Sequence, residues 1–355
     1  MKLKKLRDQI NHIDDKILKL LQERAELSKQ VGSLKADMGS EIHVPHREYE
    51  IITRIKKENF GIYPEDAIEK IWAEIFSASR NAQIPKNRIA FLGPPGSFGH
   101  TASRSFFGPK AEMIPIIPQT DIFTEVETER TDFGVVAIEN SVYGTVRDVL
   151  ERFLHTRLNI CAEIYQPIRH NLISKYPLSK IERVYSHRQP FAQCRIWLNK
   201  FLKSVEQIEV VSTSDAAQRA ADEPNSAAIA SSLASEIYEV PIIADSIMDE
   251  PDNTTRFFVI GNQRVGKSGN DCTSIFFAIK DKIGALYEIL EILDKHQLNL
   301  SYIESLPSRT KPWEYIFFAD IDGHIDDENM RLALESLDDM CRNVKILGSY
   351  PRGVK

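Results

Sequence analysis

The sequence predicts a multi-domain chain: an all-helical segment, then an α/β segment, then a small α+β segment. Three observations carry this. Residues 3 to 34 keep a heptad pattern of apolar side chains. From about residue 88 to 262, short apolar strands alternate with helices, and five strand-to-helix junctions are rich in Ser or Thr. From about residue 271 the elements read β-α-β-β-α-β, the order of a ferredoxin-like plait.

In the first segment, Leu3, Ile10, Ile17, Arg24 and Val31 are seven apart, as are Leu6, Ile13, Leu20, Leu27 and Leu34. Nine of these ten seam positions are apolar and the tenth is Arg24. A helix of about 50 Å cannot bury both ends in one small domain, so it should pack against a partner chain. Arg24 then either fixes register or reaches into a cavity of the bundle. Lys35 lies about three turns on and leans to the same face, and Arg7 flanks the seam near its other end. Pro45 suits a first helical position, with Arg47 and Glu48 in that first turn. Trp72, Phe76, Ser79 and Gln83 follow a 4-3-4 spacing, so an apolar stripe runs on into a serine and a glutamine. A polar helix end would look the same.

The middle segment centres on Phe133 to Val146, F-G-V-V-A-I-E-N-S-V-Y-G-T-V. Phe133 to Ile138 reads as a buried strand that ends in Glu139, Asn140 and Ser141. Gly144 allows a turn, and T-V-R-D reads as a capping box opened by Thr145. Ile89–Leu92 leads similarly into G-P-P-G-S-F-G-H, Val184–Tyr185 into S-H-R-Q-P-F, Val210–Val211 into S-T-S-D, and Ala227–Ala230 into S-S-L-A. One serine cap is unremarkable. Five such junctions suggest a pocket for a small polar anion. The segment closes on N-T-T-R-F-F-V-I, a strand opening with Thr255 and Arg256.

Gly261 to Ser268, G-N-Q-R-V-G-K-S, formally matches a phosphate-binding loop. That loop must open a helix, but a second strand run follows, so the stretch reads as an interdomain linker. Behind such a linker the last segment should be removable without unfolding its neighbours.

The net charge of -6 argues against a nucleic-acid partner. The basic start M-K-L-K-K-L-R-D lacks an apolar core, so it is not a secretory signal, and no apolar run of about 18 residues is present to span a membrane. Cys161, Cys194, Cys272 and Cys341 are far apart, which indicates neither a zinc site nor a disulfide framework. The expectation is a cytoplasmic protein without metal or cofactor.

Arg7, the pair Glu23-Arg24, V-G-S-L-K ending in Lys35, P-H-R-E ending in Glu48, and S-A-S-R-N-A-Q together resemble the all-helical chorismate mutase domain. The resemblance implies an intertwined helical dimer whose two sites each borrow one arginine, Arg7, from the partner. It implies that Arg24, Lys35, Arg47, Glu48, Ser79 and Gln83 line the local site around chorismate. The family's acidic residue three before the R-E pair is Val44 here. Rearrangement of this dianion to prephenate is pericyclic and needs no nucleophile. Arginines can hold its carboxylates, and Lys35 and Gln83 can stabilise charge on the breaking ether oxygen.

G-P-P-G-S-F, G-V-V-A-I-E-N-S, V-Y-S-H-R-Q-P-F-A-Q-C-R and T-T-R-F resemble prephenate dehydratase. That implies two α/β lobes with the site in the cleft between them, similar to ligand-binding proteins of transport systems. It puts Glu139, Asn140, Ser141, Ser186, His187, Gln189 and Arg256 around prephenate, with Thr255 as the catalytic hydroxyl and Glu139 a candidate for proton handling. Ala137 stands where the family usually has Pro. I-G-A-L, I-E-S-L-P-S and P-W-E-Y-I-F-F-A-D-I resemble the ACT regulatory domain. There Gly284, Ala285, Leu286, Glu304 and Ser305 would bind phenylalanine at a dimer interface, with Leu306 in place of the usual Arg.

The chain thus resembles the bifunctional chorismate mutase/prephenate dehydratases, with expected segments 1–86, 88–264 and 271–352. Its expected partners are chorismate, prephenate, the effector L-phenylalanine and further copies of itself. A non-catalytic amino-acid sensor is the alternative, but a pure dimerising helix does not need cationic seam residues.

Overall fold

The structure, a computed structural model, describes residues 2–37, 45–59, 61, 63–83, 87–109, 111–279, 283–307 and 315–353. The first unit is three helices, α1 (Lys2–Asp37), α2 (Pro45–Glu58) and α3 (Glu65–Gln83). Residues of α3 pack against α1, and the apolar contact is led by Phe76. The heptad stripe of α1 faces solvent over much of its length. Leu20 and Leu27 are 64% and 62% exposed, and Leu3, Leu6, Ile10, Ile13, Ile17 and Val31 are exposed with them.

The α/β unit has two lobes. The first holds β1 (Arg88–Leu92), α4 (Phe98–Phe107), β2 (Glu112–Ile116), α5 (Asp121–Glu127), β3 (Phe133–Asn140), β4 (Gly144–Thr145), α6 (Arg147–Phe153) and β5 (Asn159–Pro167). The chain then crosses to the second lobe, with β6 (Asn171–Ile173), β7 (Arg183–Ser186), α7 (Arg188–Gln193), α8 (Arg195–Phe201), β8 (Glu206–Glu209), α9 (Thr213–Asp222), β9 (Ser226–Ala230), α10 (Ser232–Ile237) and β10 (Ile242–Ala244). It returns as β11 (Thr254–Gly261), which inserts between β3 and β5, so the first sheet runs β2-β1-β3-β11-β5 with β4 alongside β3. The second sheet runs β10-β6-β9-β7-β8. The strand expected at Val210–Val211 lies just upstream, at Glu206–Glu209.

The two crossovers run side by side. The Ile168 N–H donates to the Asn253 carbonyl at 2.8 Å, and the Ile247 N–H to the His170 carbonyl at 2.8 Å. Serine caps behave as expected at three junctions: Ser97, Ser212 and Ser231 accept from the N–H groups of His100, Asp215 and Ala234. The capping box opened by Thr145 does not form. Val146 is the N-cap of α6, and the Thr145 hydroxyl is turned to the final domain instead.

The last unit is β12 (Asp271–Ala278), α11 (Ala285–Lys295), β13 (Leu300–Pro307), β14 (Tyr315–Asp322), α12 (Glu328–Met340) and β15 (Asn343–Pro351), with sheet order β13-β14-β12-β15. Between β11 and β12 no helix opens. The N–H groups of Ser268 and Gly269 bind the Asp271 carboxylate, so this stretch cradles its own side chain rather than a phosphate.

The final sheet has helices on one face only. Its other face shares a core with the first lobe: Phe276, Leu306, Phe318, Leu347 and Tyr350 pack with Val149, Phe153, Ile160 and Phe258. Gly348 lets the backbones touch, since a Cβ there would lie 2.4 Å from the Ile160 carbonyl oxygen. The Lys345 ammonium donates to the carbonyls of Phe153, Leu154 and Thr156 at 2.7, 3.1 and 2.6 Å, closing the C-terminal end of α6. The linker thus does not hold the last segment apart: its sheet completes the core of the first lobe.

Candidate active site

In the helical unit, Arg24 of α1 meets Ser79 of α3, its guanidinium donating to the Ser79 hydroxyl. It lies 5.7 Å from the Trp72 ring centroid and 5.4 Å from that of Phe76. Ser79 is buried and donates to the Ile75 carbonyl at 2.6 Å. The seam cation and the end of the α3 stripe thus converge at one place. Arg7 is on the same helix but about 25 Å away along its axis, and it is exposed. Lys35, Arg47, Glu48 and Gln83 fall within α1, α2 and α3, and their side chains, like Val44 as a whole, lie outside the described residues.

In the α/β unit the site candidates gather where β3 and β11 end together. The antiparallel register sets Thr255 opposite Asn140 and Arg256 opposite Glu139. Side chains alternate across a strand, so the pairs face opposite sides of the sheet. Asn140 and Thr255 join on one side. The Asn140 amide donates to the Thr255 hydroxyl and to the Asn253 carbonyl oxygen Oδ1, each at 2.8 Å. Its own Oδ1 accepts from the N–H groups of Val142 and Tyr143 at 3.0 Å, which fixes which end of the amide is which. The Thr255 oxygen is thereby an acceptor, and its proton is left to donate elsewhere.

Arg256 does not join this group. It is 4% exposed on the opposite face, paired with Glu163 and with Asp320 of β14, each at 2.6 Å. Burial alone would lower its pKa, but these carboxylates and Tyr350 hold it firmly charged. The expected substrate contact is thus replaced by an interdomain ion pair. Glu139 shares that face, opposite Thr145 in the ladder. Ser141 is committed to backbone: its hydroxyl accepts from the Thr254 N–H at 3.0 Å and donates to the Asp252 carbonyl at 3.4 Å.

From the second lobe, Ser186 ends β7 fully buried, and its hydroxyl has no hydrogen-bond partner among the described residues. His187 is the N-cap of α7, its Nδ1 accepting from the Gln189 N–H at 3.4 Å, and Gln189 is exposed. The lobes meet at the G-P-P-G-S-F loop. Gly96 has φ +87°, its carbonyl accepts from the Ser231 hydroxyl at 2.7 Å, and a Cβ on it would lie 3.0 Å from that of Ala234. Phe98 sets its edge against His170, their centroids 5.4 Å apart.

Two groups here escaped sequence reasoning. His170 is buried with Nε2 2.6 Å from the Gln193 side-chain oxygen and Nδ1 without a partner among the described residues. Burial lowers its pKa. Gln193 lies one turn beyond Gln189 inside the quoted Q-P-F-A-Q, so helical spacing was the signal. Asn253 is the first residue of N-T-T-R-F, where a buried amide before a strand was the signal.

In the last unit, Gly284, with φ +82°, precedes α11, and Ala285 is buried. Leu286 packs on the core under the helices. Ser305 pairs with Phe317 in the ladder and lies on that helix-covered face. Glu304 pairs with Phe318 and turns to the first lobe, 3.8 Å from the Arg147 guanidinium. The expected effector residues are thus divided between two faces. Leu306 is fully buried in the shared core. Among the described residues no group of three His, Cys, Asp or Glu could hold a metal. No helix among them is long and apolar enough to cross a membrane.

Three family models match in order: chorismate mutase type II over residues 6–84, prephenate dehydratase over 89–265 and the ACT domain over 273–339. A bifunctional chorismate mutase/prephenate dehydratase of Aquifex aeolicus is 43% identical, the match covering 99% of this chain and 98% of that one. The solved prephenate dehydratase of Arthrobacter aurescens in complex with L-Phe is 32% identical at TM-score 0.69, covering 75% of this chain and 90% of that one. A solved quorum-quenching acylase is 26% identical at TM-score 0.68, covering 74% of this chain and 97% of that one.

Proposed function

The chain belongs to the bifunctional chorismate mutase/prephenate dehydratase family, and from that premise we propose how its residues carry both reactions. Residues 1–86 convert chorismate to prephenate. Arg24, buttressed by Ser79, binds a substrate carboxylate, and Arg47, Glu48, Lys35 and Gln83 complete the site. Arg7 is too distant to serve its own Arg24, so it serves the site of a second copy. The exposed apolar stripe of α1 supports that copy as the occupant of the seam. The resulting homo-oligomer works in the cytoplasm.

Residues 88–264 convert prephenate to phenylpyruvate. The ring carboxylate leaves as carbon dioxide, its bonding pair aromatises the ring, and the ring C–O bond breaks. The departing hydroxide needs one proton to leave as water. Thr255 donates a hydrogen bond to that oxygen. The observation that carries this is the Asn140–Thr255 contact, which makes the threonine oxygen an acceptor and leaves its proton for the cleft. The buried, unpartnered Ser186 hydroxyl supplies a second polar contact, and His187 and Gln189 flank it.

Residues 271–352 bind L-phenylalanine through Gly284, Ala285, Leu286 and Ser305. Glu304 reports on occupancy through Arg147 rather than lying on the same face as Ser305. The test is incubation of the whole protein with chorismate, read as phenylpyruvate absorbance in alkali, with and without phenylalanine. Phenylpyruvate should form and phenylalanine should slow its formation. No phenylpyruvate from either chorismate or prephenate would overturn the reading.

A further inference from the structure

We infer that Asn253 is a positioning residue for the dehydratase step, holding the Thr255 hydroxyl in donor orientation from the hinge between the lobes. The inference rests on the reading of Thr255 given above and adds a residue to it.

Asn140 carries two amide protons. One goes to Thr255 and the other to Asn253 Oδ1, both at 2.8 Å. The remaining acceptor near that amide, the Thr254 carbonyl, is 3.5 Å away. Asn253 is 3% exposed, so the bond it accepts from Asn140 is shielded from bulk water. Without that acceptor the amide turns toward the Thr254 carbonyl, and the proton it aims at Thr255 moves off line. Thr255 can then spend its own proton on a neighbour instead of on substrate.

Asn253 is also placed to couple this orientation to the lobes. It is the last residue of the returning crossover, and its carbonyl accepts from Ile168 of the outgoing one at 2.8 Å. One residue thus ties the two hinge strands together by its backbone and aims the reacting threonine by its side chain.

The test uses the full-length protein with prephenate as substrate and its mutase activity as a folding control. Asn253→Ala should lower kcat by about ten- to hundredfold with KM within about twofold, the pattern of an interaction felt in the transition state. Asn253→Asp keeps the acceptor oxygen and should hold kcat within about threefold, while its charge beside an anionic substrate raises KM. In a Thr255→Val background, Asn253→Ala should cost less than about twofold more, because the group it positions is gone. If Asn253→Ala does not fold, Asn253→Ser, whose oxygen is withdrawn from the Asn140 amide, takes its place in each comparison. The inference is overturned if wild type is active and Asn253→Ala or Asn253→Ser keeps its kcat. It is equally overturned if the loss is fully additive with Thr255→Val, which marks a structural role. An inactive wild type overturns the underlying reading of the site instead.

Discussion

The Tyr302 hydroxyl of the last unit lies 2.8 Å from that of Thr145, and Thr145 stands opposite Glu139 in the ladder of the candidate dehydratase site. Burial pushes the Tyr302 pKa up to about 12, so the phenol stays protonated. Tyr302 shares its face of β13 with Glu304, which meets Arg147 at the start of α6. β13 thus reaches β4, and through its ladder β3, by this hydroxyl pair.

Tyr302→Phe removes that hydroxyl and little else. The dehydratase rate without effector should stay near wild type. The phenylalanine concentration for half inhibition should rise by roughly fivefold, as a hydrogen bond worth about 1 kcal/mol implies. The melting shift caused by phenylalanine should persist, since the effector residues themselves are unchanged. Unchanged inhibition would show that coupling runs elsewhere.

Arg24→Ala should lower chorismate turnover by on the order of a hundredfold, about 2.7 kcal/mol. Prephenate supplied directly should still be dehydrated at the wild-type rate. A mutase loss below about tenfold would make Arg24 a register residue of the seam.

Thr255→Val keeps the shape of the side chain and deletes its proton. From chorismate this variant should accumulate prephenate, with dehydratase kcat down by on the order of 10²- to 10³-fold. Normal yields of phenylpyruvate would remove Thr255 from the reaction.

Deleting residues from Ser268 onward strips Phe276, Leu306, Phe318 and Tyr350 from Phe258 and Phe153. The remaining protein should keep both activities and lose inhibition by phenylalanine. Its α/β unit should melt several degrees lower and self-associate through the bared sheet. Calorimetry of both forms gives the answer, and an unchanged melting temperature would mean that the shared core contributes nothing to the lobe.

Burial holds the pKa values of His100 and His170 below the ordinary 6.5. In the unfolded chain both titrate near that value, so just below pH 6.5 the unfolded state binds more protons. Stability of the α/β unit should therefore fall as pH drops from about 6.5 toward the depressed folded values, and level off below them. Melting temperature against pH reads this directly. In His170→Gln the slope should flatten.

Much of this was legible in local pattern. The heptads located α1, and the serines at helix starts located three caps, because both signals lie within one or two turns of chain. Their motifs singled out Thr255 and Asn140, and the ladder sets these two side by side. What stayed hidden depended on facing direction and long-range register. T-R-F places Thr255 and Arg256 side by side in sequence and on opposite faces in space, and nothing within the motif says that Asp320 waits on the second face. E-S-L-P divides in the same way between Glu304 and Ser305. Thr145 had the spacing of a cap, but its hydroxyl found a tyrosine some 157 residues away. Local propensity lost there to tertiary contact.

If a second copy covers the bare stripe of α1 and lends Arg7, as proposed above, the mutase becomes a matter of mass action. A site that takes Arg7 from another copy exists only while two copies are joined, whereas the Asn140–Thr255 pair is complete within one chain. Dilution is then a selective inhibitor. As the chains separate, chorismate consumption falls with the square of free-chain concentration, while prephenate consumption falls only in proportion to it.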